Sequence, residues 1–579
     1  MTPTTQPMTT TLTPLTSPLG RPGQSPLVLA VLGALLLWTG WLPQPSAGLS
    51  LLLLVAWVPY LVLERQLTQQ AATKRRVFVS TYLLLLLWNA LTTWWVGNTT
   101  VPASGVVAVV LNALLMCLPL MAFRQTKKRL GARVGYLSLP VYWLAFEQLH
   151  LHWDITWPWL TLGNGFAVAP QWVQWYEYTG FLGGSVWVWA VNLLVFWGLI
   201  KNYELKIQNK ADSSLGNTNK ERSAKPAFSI FNFQFLIPAL AVAAPIGLSY
   251  AIGAAYQEKG PTTEVVVVQP NFDPYNEKFP GSPTYVPYPD QITRMLALSA
   301  QQLTPQTRLI IWPETALEES HWENIIERQP DIQRVRRWLG EHPGVALLTG
   351  ITTMSTYPSK EAASETARYR DDLGYYDVYN AAAYFASADA PLAIYHKSRL
   401  VPGVEKIPPI LSSLLDNINL GGFVGSYGSQ AERTVYAAPA NAPALRPAPL
   451  ICYESIYGDF VSEYVPNGAT LLTLSTNDAW WHDSPGYRQL LRYGSLRCIE
   501  TRRDLARAAN TGFTGFINQK GDITQLAPTW VPTASRGLVH LNDEVTFYAR
   551  HGELIGRGAQ GLALLLLLGT ITVPLMRKK

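Results

Sequence analysis

Residues 308–314 read Arg308-Leu309-Ile310-Ile311-Trp312-Pro313-Glu314, a short apolar run that ends on a carboxylate. The arrangement recurs three times downstream. Leu392-Ala393-Ile394-Tyr395 leads into His396-Lys397, Pro449-Leu450-Ile451 into Cys452-Tyr453-Glu454, and Thr470-Leu471-Leu472-Thr473-Leu474-Ser475 into Asn477-Asp478. Two further runs, 264–269 and 345–349, have the same character. Short runs of this kind, mostly β-rich, suggest buried strands. Helical patterns at 290–303 and 486–509 lie between some of them, and the combination indicates an α/β domain. In such sheets, sites collect beyond the carboxyl ends of the strands. A carboxylate, an amine and a thiol delivered this way can meet in one pocket.

Outside residues 257–557 the chain changes character. Of its 579 residues 48% are hydrophobic and 15% charged, well short of the quarter usual in soluble domains, and 15 of the 21 tryptophans precede residue 200. A plain water-soluble enzyme and a disordered chain are both excluded. No charged residue occurs from Pro26 to Leu63, a stretch broken at Pro43-Gln44-Pro45, or from Val77 to Phe123, a stretch broken at Gly97-Asn98-Thr99-Thr100. About 20 apolar residues cross a bilayer as a helix, so these read as four spans. Further spans are expected at 134–149, 178–200, 230–256 and 558–576, eight in all.

Charge orients them. Lys and Arg gather in 64–76, 124–133, 201–229 and 577–579, while the connections 43–47, 97–101 and 150–177 carry none. Basic residues accumulate on cytoplasmic loops, which places both termini in the cytoplasm and residues 257–557 outside. Residues 1–25, rich in Thr and Pro, are expected to be a disordered cytoplasmic tail, followed by a membrane part over 26–256 with seven spans. Clustering of the +6 formal charge beside apolar runs argues for membrane orientation and against nucleic-acid binding. Connection 150–177 is dense in aromatics, as expected of a segment at the headgroup level or of a lipid entrance to the external domain.

The chemistry follows from the residue types. A deprotonated thiol is the best side-chain nucleophile near neutral pH, a neighbouring carboxylate can shuttle its proton, and an ammonium near both stabilises an oxyanion. Cys452, Glu314 and Lys397 together would support acyl transfer through a thioester. Each also has a plainer reading. Cys452 could be a small buried hydrophobe or pair with Cys498 in a disulfide; Glu314 could cap a helix, and Lys397 could be a solvated loop charge.

The segments 312–316 (Trp-Pro-Glu-Thr-Ala), 395–397 (Tyr-His-Lys), 451–454 (Ile-Cys-Tyr-Glu) and 475–481 (Ser-Thr-Asn-Asp-Ala-Trp-Trp) resemble the nitrilase, or carbon-nitrogen hydrolase, superfamily. With eight spans around an external domain, the resemblance narrows to the bacterial apolipoprotein N-acyltransferases. It implies a polytopic helical membrane domain plus an extracytoplasmic αββα sandwich, with Glu314 as general base, Lys397 as charge stabiliser and Cys452 as nucleophile. Glu405 matches the family's second essential glutamate. Tyr453, Glu454, Asn477 and Trp480 match supporting or substrate-binding positions. The implied reaction moves an acyl chain from a membrane phospholipid to Cys452, and then to the N-terminal diacylglyceryl-cysteine of an apolipoprotein. The implied setting is the bacterial inner membrane, with a monomer and no metal or other cofactor. Three departures stand out. Pro270 replaces a usual Gly, Trp481-His482 ends the Asn-Asp-Ala-Trp motif, and the family's aromatic near the domain start falls between Tyr275 and Phe279. A membrane-anchored amidase that passes the acyl group to water would use the same three residues.

Overall fold

The four valines 265–268 are buried on both faces of one strand, and the two faces go to different places. In the computed structural model, which describes residues 25–42, 47–99, 102–214, 227–407 and 426–576, they lie in β1 (Thr262–Gln269). Val266 and Val268 share a core with Ile292 and Met295 of helix Tyr288–Gln302 and with Ile332 and Val335 of helix Pro330–Glu341. Val265 and Val267 join the core that continues into a second sheet. Burial on both faces explains an uninterrupted apolar run where a half-exposed strand would alternate.

The first sheet adds β2 (Thr307–Ile311), β3 (Leu317–Trp322), β4 (Ala346–Thr356), β5 (Arg368–Arg370), β6 (Gly374–Phe385) and β7 (Ala393–His396). The second comprises β8 (Pro447–Ile451), β9 (Leu471–Thr476), β10 (Leu505–Ala509), β11 (Gly515–Ile517) and β12 (Ile523–Leu526), in the order β12-β11-β10-β9-β8. The chain then returns as β13 (Thr533–His540) to pair antiparallel with β1. The first sheet runs β13-β1-β2-β4-β6-β5, with β3 beside β4 and β7 beside β6. Helix Pro485–Thr501 covers the second sheet's outer face, where its Gly494 meets Leu505 and Ile517. The layers are therefore α, β, β, α.

Two elements depart from the sequence reading. The helical pattern expected over 486–509 stops at Thr501, because Arg502 takes a left-handed φ of 50° and Leu505–Ala509 pairs parallel with β9. Helix-forming Ala and Arg yield there to sheet pairing. Strand β6, twelve residues long, is absent from that reading: its apolar run, 381–385, is three alanines before Tyr384 and Phe385, and Ala is depleted in strands.

Helices occupy all the stretches expected to span a membrane, but not equally. Six are long and apolar enough to cross one: Gly48–Gln69, Lys74–Asn98, Gly105–Leu130, Leu182–Glu204, Leu236–Ala255 and Leu554–Val573. Pro26–Gly40 is shorter, and Ala132–His150 is not among the six. The latter turns Ser138, Glu147, Gln148 and His150 into the bundle, where they are buried. Val134, Leu137 and Leu149 face outward, so the helix is apolar outside and polar where it meets the bundle. The bundle core is built on Trp57, whose ring centroid lies 4.7 Å from that of Trp143 and 4.8 Å from that of Trp189. Outward-facing Leu562, Leu564, Leu565 and Leu568 leave the last helix apolar on its exposed side, as in a multi-pass membrane protein.

Segments 64–76 and 124–133, read as loops, are largely helical, and their charges pair inside the protein. Glu64, buried, binds Lys127 and lies 3.6 Å from Arg124, while Arg129 donates to the Thr570 carbonyl at 3.0 Å. These contacts sit at the end of the bundle away from the α/β domain. At the near end Asn98 donates to the Trp481 carbonyl at 3.1 Å. Connection 150–177 is wedged beneath the domain: Trp159 is fully buried and donates to Gln489 at 2.6 Å, Tyr493 donates to the Trp159 carbonyl, and Asp154 pairs with Lys406 at 2.8 Å. It joins the two parts of the protein. Most of the tail 1–25, the break at 43–45, part of loop 201–229 and residues 577–579 lie outside the described residues.

Between β9 and β10, Arg507 grips both oxygens of Asp478, at 2.9 and 2.8 Å, with both side chains buried. Removing one partner of a buried pair leaves the other charge uncompensated, at a cost of about 3–5 kcal/mol. Asp478→Ala is therefore expected to lower the thermal midpoint of the detergent-solubilised protein sharply. A midpoint within a degree of wild type would mean that solvent reaches Arg507.

Candidate active site

Three strand ends converge on one cavity. Beyond β2 comes Glu314, beyond β7 Lys397 and beyond β8 Cys452, all three buried and all lining a space of about 450 Å³. Lys397 is the hub. Its ammonium donates to Glu314 Oε1 at 3.1 Å and to Glu405 Oε1 at 2.8 Å. Asn380 Nδ2 donates to the same two oxygens, at 2.8 Å each. Glu405 is held in turn by the Val401 amide, 2.8 Å from its Oε2. Burial alone would push the lysine's pKa down; the Glu314 and Glu405 carboxylates outweigh it and hold the ammonium well above its ordinary range.

Cys452 opens a short turn directly after β8 with a left-handed φ of 49°. A non-glycine residue in that region costs about 1–2 kcal/mol, so something must hold it. Glu454 does. Fully buried, it accepts from the Ile451 amide on one oxygen, and from the Ser398 and Arg399 amides and the Tyr395 hydroxyl on the other. One carboxylate thus ties the turn after β8 to the turn after β7. Burial pushes the Cys452 thiol up, Glu314 adds to the push, and Lys397 opposes it. At rest the sulfur keeps its proton beside a carboxylate able to take it. All three cysteines are free, and Cys498 faces the Ile517 carbonyl away from the cavity, so the Cys452–Cys498 disulfide is not formed.

The other expected residues divide. Glu405, Tyr453 and Trp480 line the cavity; Glu454 and Asn477 do not. Asn477 lies behind it, accepting from Asn510 at 3.1 Å. Tyr453 donates to the Thr156 carbonyl at 3.1 Å and stacks over Trp157, which joins the catalytic turn to connection 150–177. Of the two candidate aromatics, Phe279 lines the cavity and stacks on Trp480, with centroids 5.8 Å apart, whereas Tyr275 spends its hydroxyl on the Asn98 and Trp480 carbonyls. Asn380, Lys278 and Glu318 were not anticipated. Asn380 sits in the unrecognised β6, and Lys278 and Glu318 lie close to named motifs but carry no spacing signal of their own. Among the described residues no group of three or more His, Cys, Asp or Glu side chains is placed to hold a metal ion.

The cavity does not end at the α/β domain. Val107, Ala108, Leu111 and Leu115 of helix Pro102–Leu130 line it, as do Trp95, Trp157 and Trp159. A polar triad buried beneath water-soluble strands thus opens onto the side chains of a membrane helix.

Two family models match the chain: "Apolipoprotein N-acyltransferase N-terminal domain" over residues 33–194 and "Carbon-nitrogen hydrolase" over residues 287–535. A protein of Chlorobaculum tepidum named apolipoprotein N-acyltransferase is 30% identical over 94% of this chain and 96% of its own length. One of the same name from Geobacter metallireducens is 24% identical over 91% and 92%. Among solved structures, a mutant Nesterenkonia AN1 amidase from the nitrilase superfamily overlaps 52% of this chain and 98% of its own, with 14% identity and a TM-score of 0.33.

The field at the sulfur can be read directly. Lys397→Met removes a cation that draws the Cys452 thiol down, and Glu405→Gln removes an anion that pushes it up. The pH of half-maximal alkylation by iodoacetamide is expected to rise in the first variant and fall in the second. Shifts in the same direction would show that these charges do not set the thiol.

Proposed function

We propose that this chain, which belongs to the apolipoprotein N-acyltransferase family, moves an acyl chain from a membrane phospholipid to the α-amine of a diacylglyceryl-cysteine at the N-terminus of an apolipoprotein. In this reading Cys452 carries the acyl group between them as a thioester. The observation behind the reading is the continuity of the cavity, in which Glu314, Lys397 and Cys452 share one space with Val107, Leu111 and Leu115 of a membrane helix. An enzyme acting on small water-soluble amides has no use for such a wall, whereas an acyl chain lying in the bilayer reaches Cys452 along it. Keeping both lipid substrates in the membrane beside the site also raises their effective concentration.

The steps follow from the geometry. Glu314 takes the Cys452 proton as Sγ attacks the ester carbonyl, and Lys397 neutralises the oxyanion that develops. Collapse of the intermediate expels the glycerol oxygen, which receives the proton from Glu314 and departs as a lysophospholipid. The acceptor amine then attacks the thioester carbonyl, the C–S bond breaks, and Glu314 carries a proton from nitrogen to sulfur. Glu405 and Asn380 hold Lys397 and Glu314 in register throughout, and Glu454 holds the nucleophile's turn.

For orientation we place the α/β domain outside the cytoplasm, with the bundle's basic end inside. The support is that Arg65, Arg124, Lys127 and Arg129 gather at the end opposite the domain, where basic residues face the cytoplasm. The bacterial inner membrane is the implied location, and a monomer suffices because one chain supplies every residue named.

Trapping tests the thioester. Protein incubated with a phospholipid labelled in its acyl chain and quenched in acid should retain label on a denaturing gel, lose it to neutral hydroxylamine, and show none in Cys452→Ser. Glu314→Gln is expected to slow labelling by about 10²–10⁴-fold. Label that forms on wild type but discharges as fast without acceptor as with it would favour an amidase that passes the acyl group to water.

A further inference from the structure

One charged side chain that lines the cavity takes no part in these steps, and a second lies buried beside it. Lys278 is buried, and its ammonium donates to Thr315 Oγ1 and, at 3.3 Å, to the Glu314 backbone oxygen. Glu318, on β3, lines the cavity that holds Glu314, Lys397 and Cys452, and its Oε2 lies 4.0 Å from Lys278 Nζ. At that distance the two attract without a hydrogen bond. Oε2 is closed off from solvent and has no hydrogen-bond partner among the described residues. A carboxylate whose whole task was to neutralise Lys278 would gain by closing to contact. Here the ammonium's donors go to Thr315 and Glu314, the Thr315 hydroxyl also bears on the Glu318 carboxyl, and Glu318 lines the space where substrates meet while its Oε2 is turned from that space toward Lys278.

A buried carboxylate short of donors is costly, and the group that satisfies its cavity side best is a cation carrying N–H donors. Burial pushes the Glu318 carboxyl up to about 7, with Lys278 pulling the other way. A carboxyl there can take a proton and release it near neutral pH. The second half of the reaction needs both properties. An α-amine, with a pKa near 8, arrives largely as an ammonium, which has no lone pair to attack with. Glu314 can move a proton from nitrogen to sulfur during attack, but the ammonium carries one proton more.

We propose that the Glu318 carboxyl receives the primary ammonium of the acyl acceptor from the cavity and removes its first proton before attack; this rests on the reading of the cavity as an acyltransferase site. The protons balance. The ammonium's first proton goes to Glu318 and leaves a neutral amine. The nitrogen then bonds to the thioester carbon, the C–S bond breaks, and the second proton passes through Glu314 to Cys452 sulfur. The third remains on the amide, and Glu318 releases its proton to water. Lys278 pulls the Glu318 carboxyl down and so favours the ionised form that receives the next cation.

The test separates the two half-reactions in the full-length, detergent-solubilised protein. Wild type and Glu318→Gln are loaded with labelled acyl chain from phosphatidylglycerol or phosphatidylethanolamine, and then discharged with a diacylglyceryl-cysteinyl peptide or with hydroxylamine, which is neutral at physiological pH. Loading of the variant should stay within about twofold of wild type from either lipid. Its discharge by the peptide should be slower by about 10²-fold at neutral pH, with the gap narrowing above the amine's pKa near 8, while discharge by hydroxylamine should match wild type. Peptide discharge at the wild-type rate overturns the proposal. So does an equal loss in loading, which would make Glu318 a structural partner of Lys278. A loading loss confined to phosphatidylethanolamine overturns it too, since the ammonium recognised would then be the donor's headgroup. A wild type that never takes up label overturns the acyltransferase reading itself.

Discussion

An ammonium enclosed by two carboxylates away from water organises this molecule's catalytic half. Taking an ion out of water costs several kcal/mol even after relaxation, so Lys397 is tolerable only with Glu314 and Glu405 within 3.1 and 2.8 Å. The three come from different places, beyond β2, beyond β7 and in the loop that follows. Asn380 of β6 then ties the two carboxylates together on the oxygens that Lys397 uses. A slip of one residue in β2, β6 or β7 would turn one of these groups to the opposite face of the sheet. The register of the first sheet and the integrity of the site are therefore one requirement.

The second sheet is joined to that arrangement through Glu454. Its four donors come from the turn beyond β8 and the turn beyond β7, so the carboxylate holds Cys452 in a left-handed backbone and fixes its position relative to Lys397. The resting thiol then follows from electrostatics. Burial and Glu314 keep the proton on sulfur, and Lys397 limits how far that goes.

The membrane half contributes walls. Connection 150–177 packs between helices and sandwich. Trp157 reaches Tyr453, and Trp159 is buried against Trp95 and Trp481. Large aromatic faces suit this position because they exclude water from a polar site on one side and meet apolar chains on the other. Charge is handled in the same way at the far end, where Glu64 draws Lys127 and Arg124 inward. The basic residues that mark a membrane face in the sequence are thus partly consumed by pairing in the fold.

The amino-acid sequence by itself determined that apolar runs end in Glu314, Lys397 and Cys452, that charge-free stretches alternate with basic ones, and that the motif residues resemble one family. Those features are local, since a run of Val or Ile reads as a buried strand wherever it sits, and a motif is legible without its partners. What needed the tertiary structure were the matters decided by neighbours. Residues 505–509 became a strand only because β9 lies alongside. Helix Ala132–His150 could carry Glu147 and His150 because its inner face packs into the bundle, where they find partners. Phe279 rather than Tyr275 faced the cavity because Tyr275 found carbonyls on Asn98 and Trp480. Asn380 and Glu318 carried no signal, since a lone Asn or Glu in a chain says nothing of what it will be buried beside. Contacts between residues distant in the chain depend on packing, and packing is a property of the assembled layers.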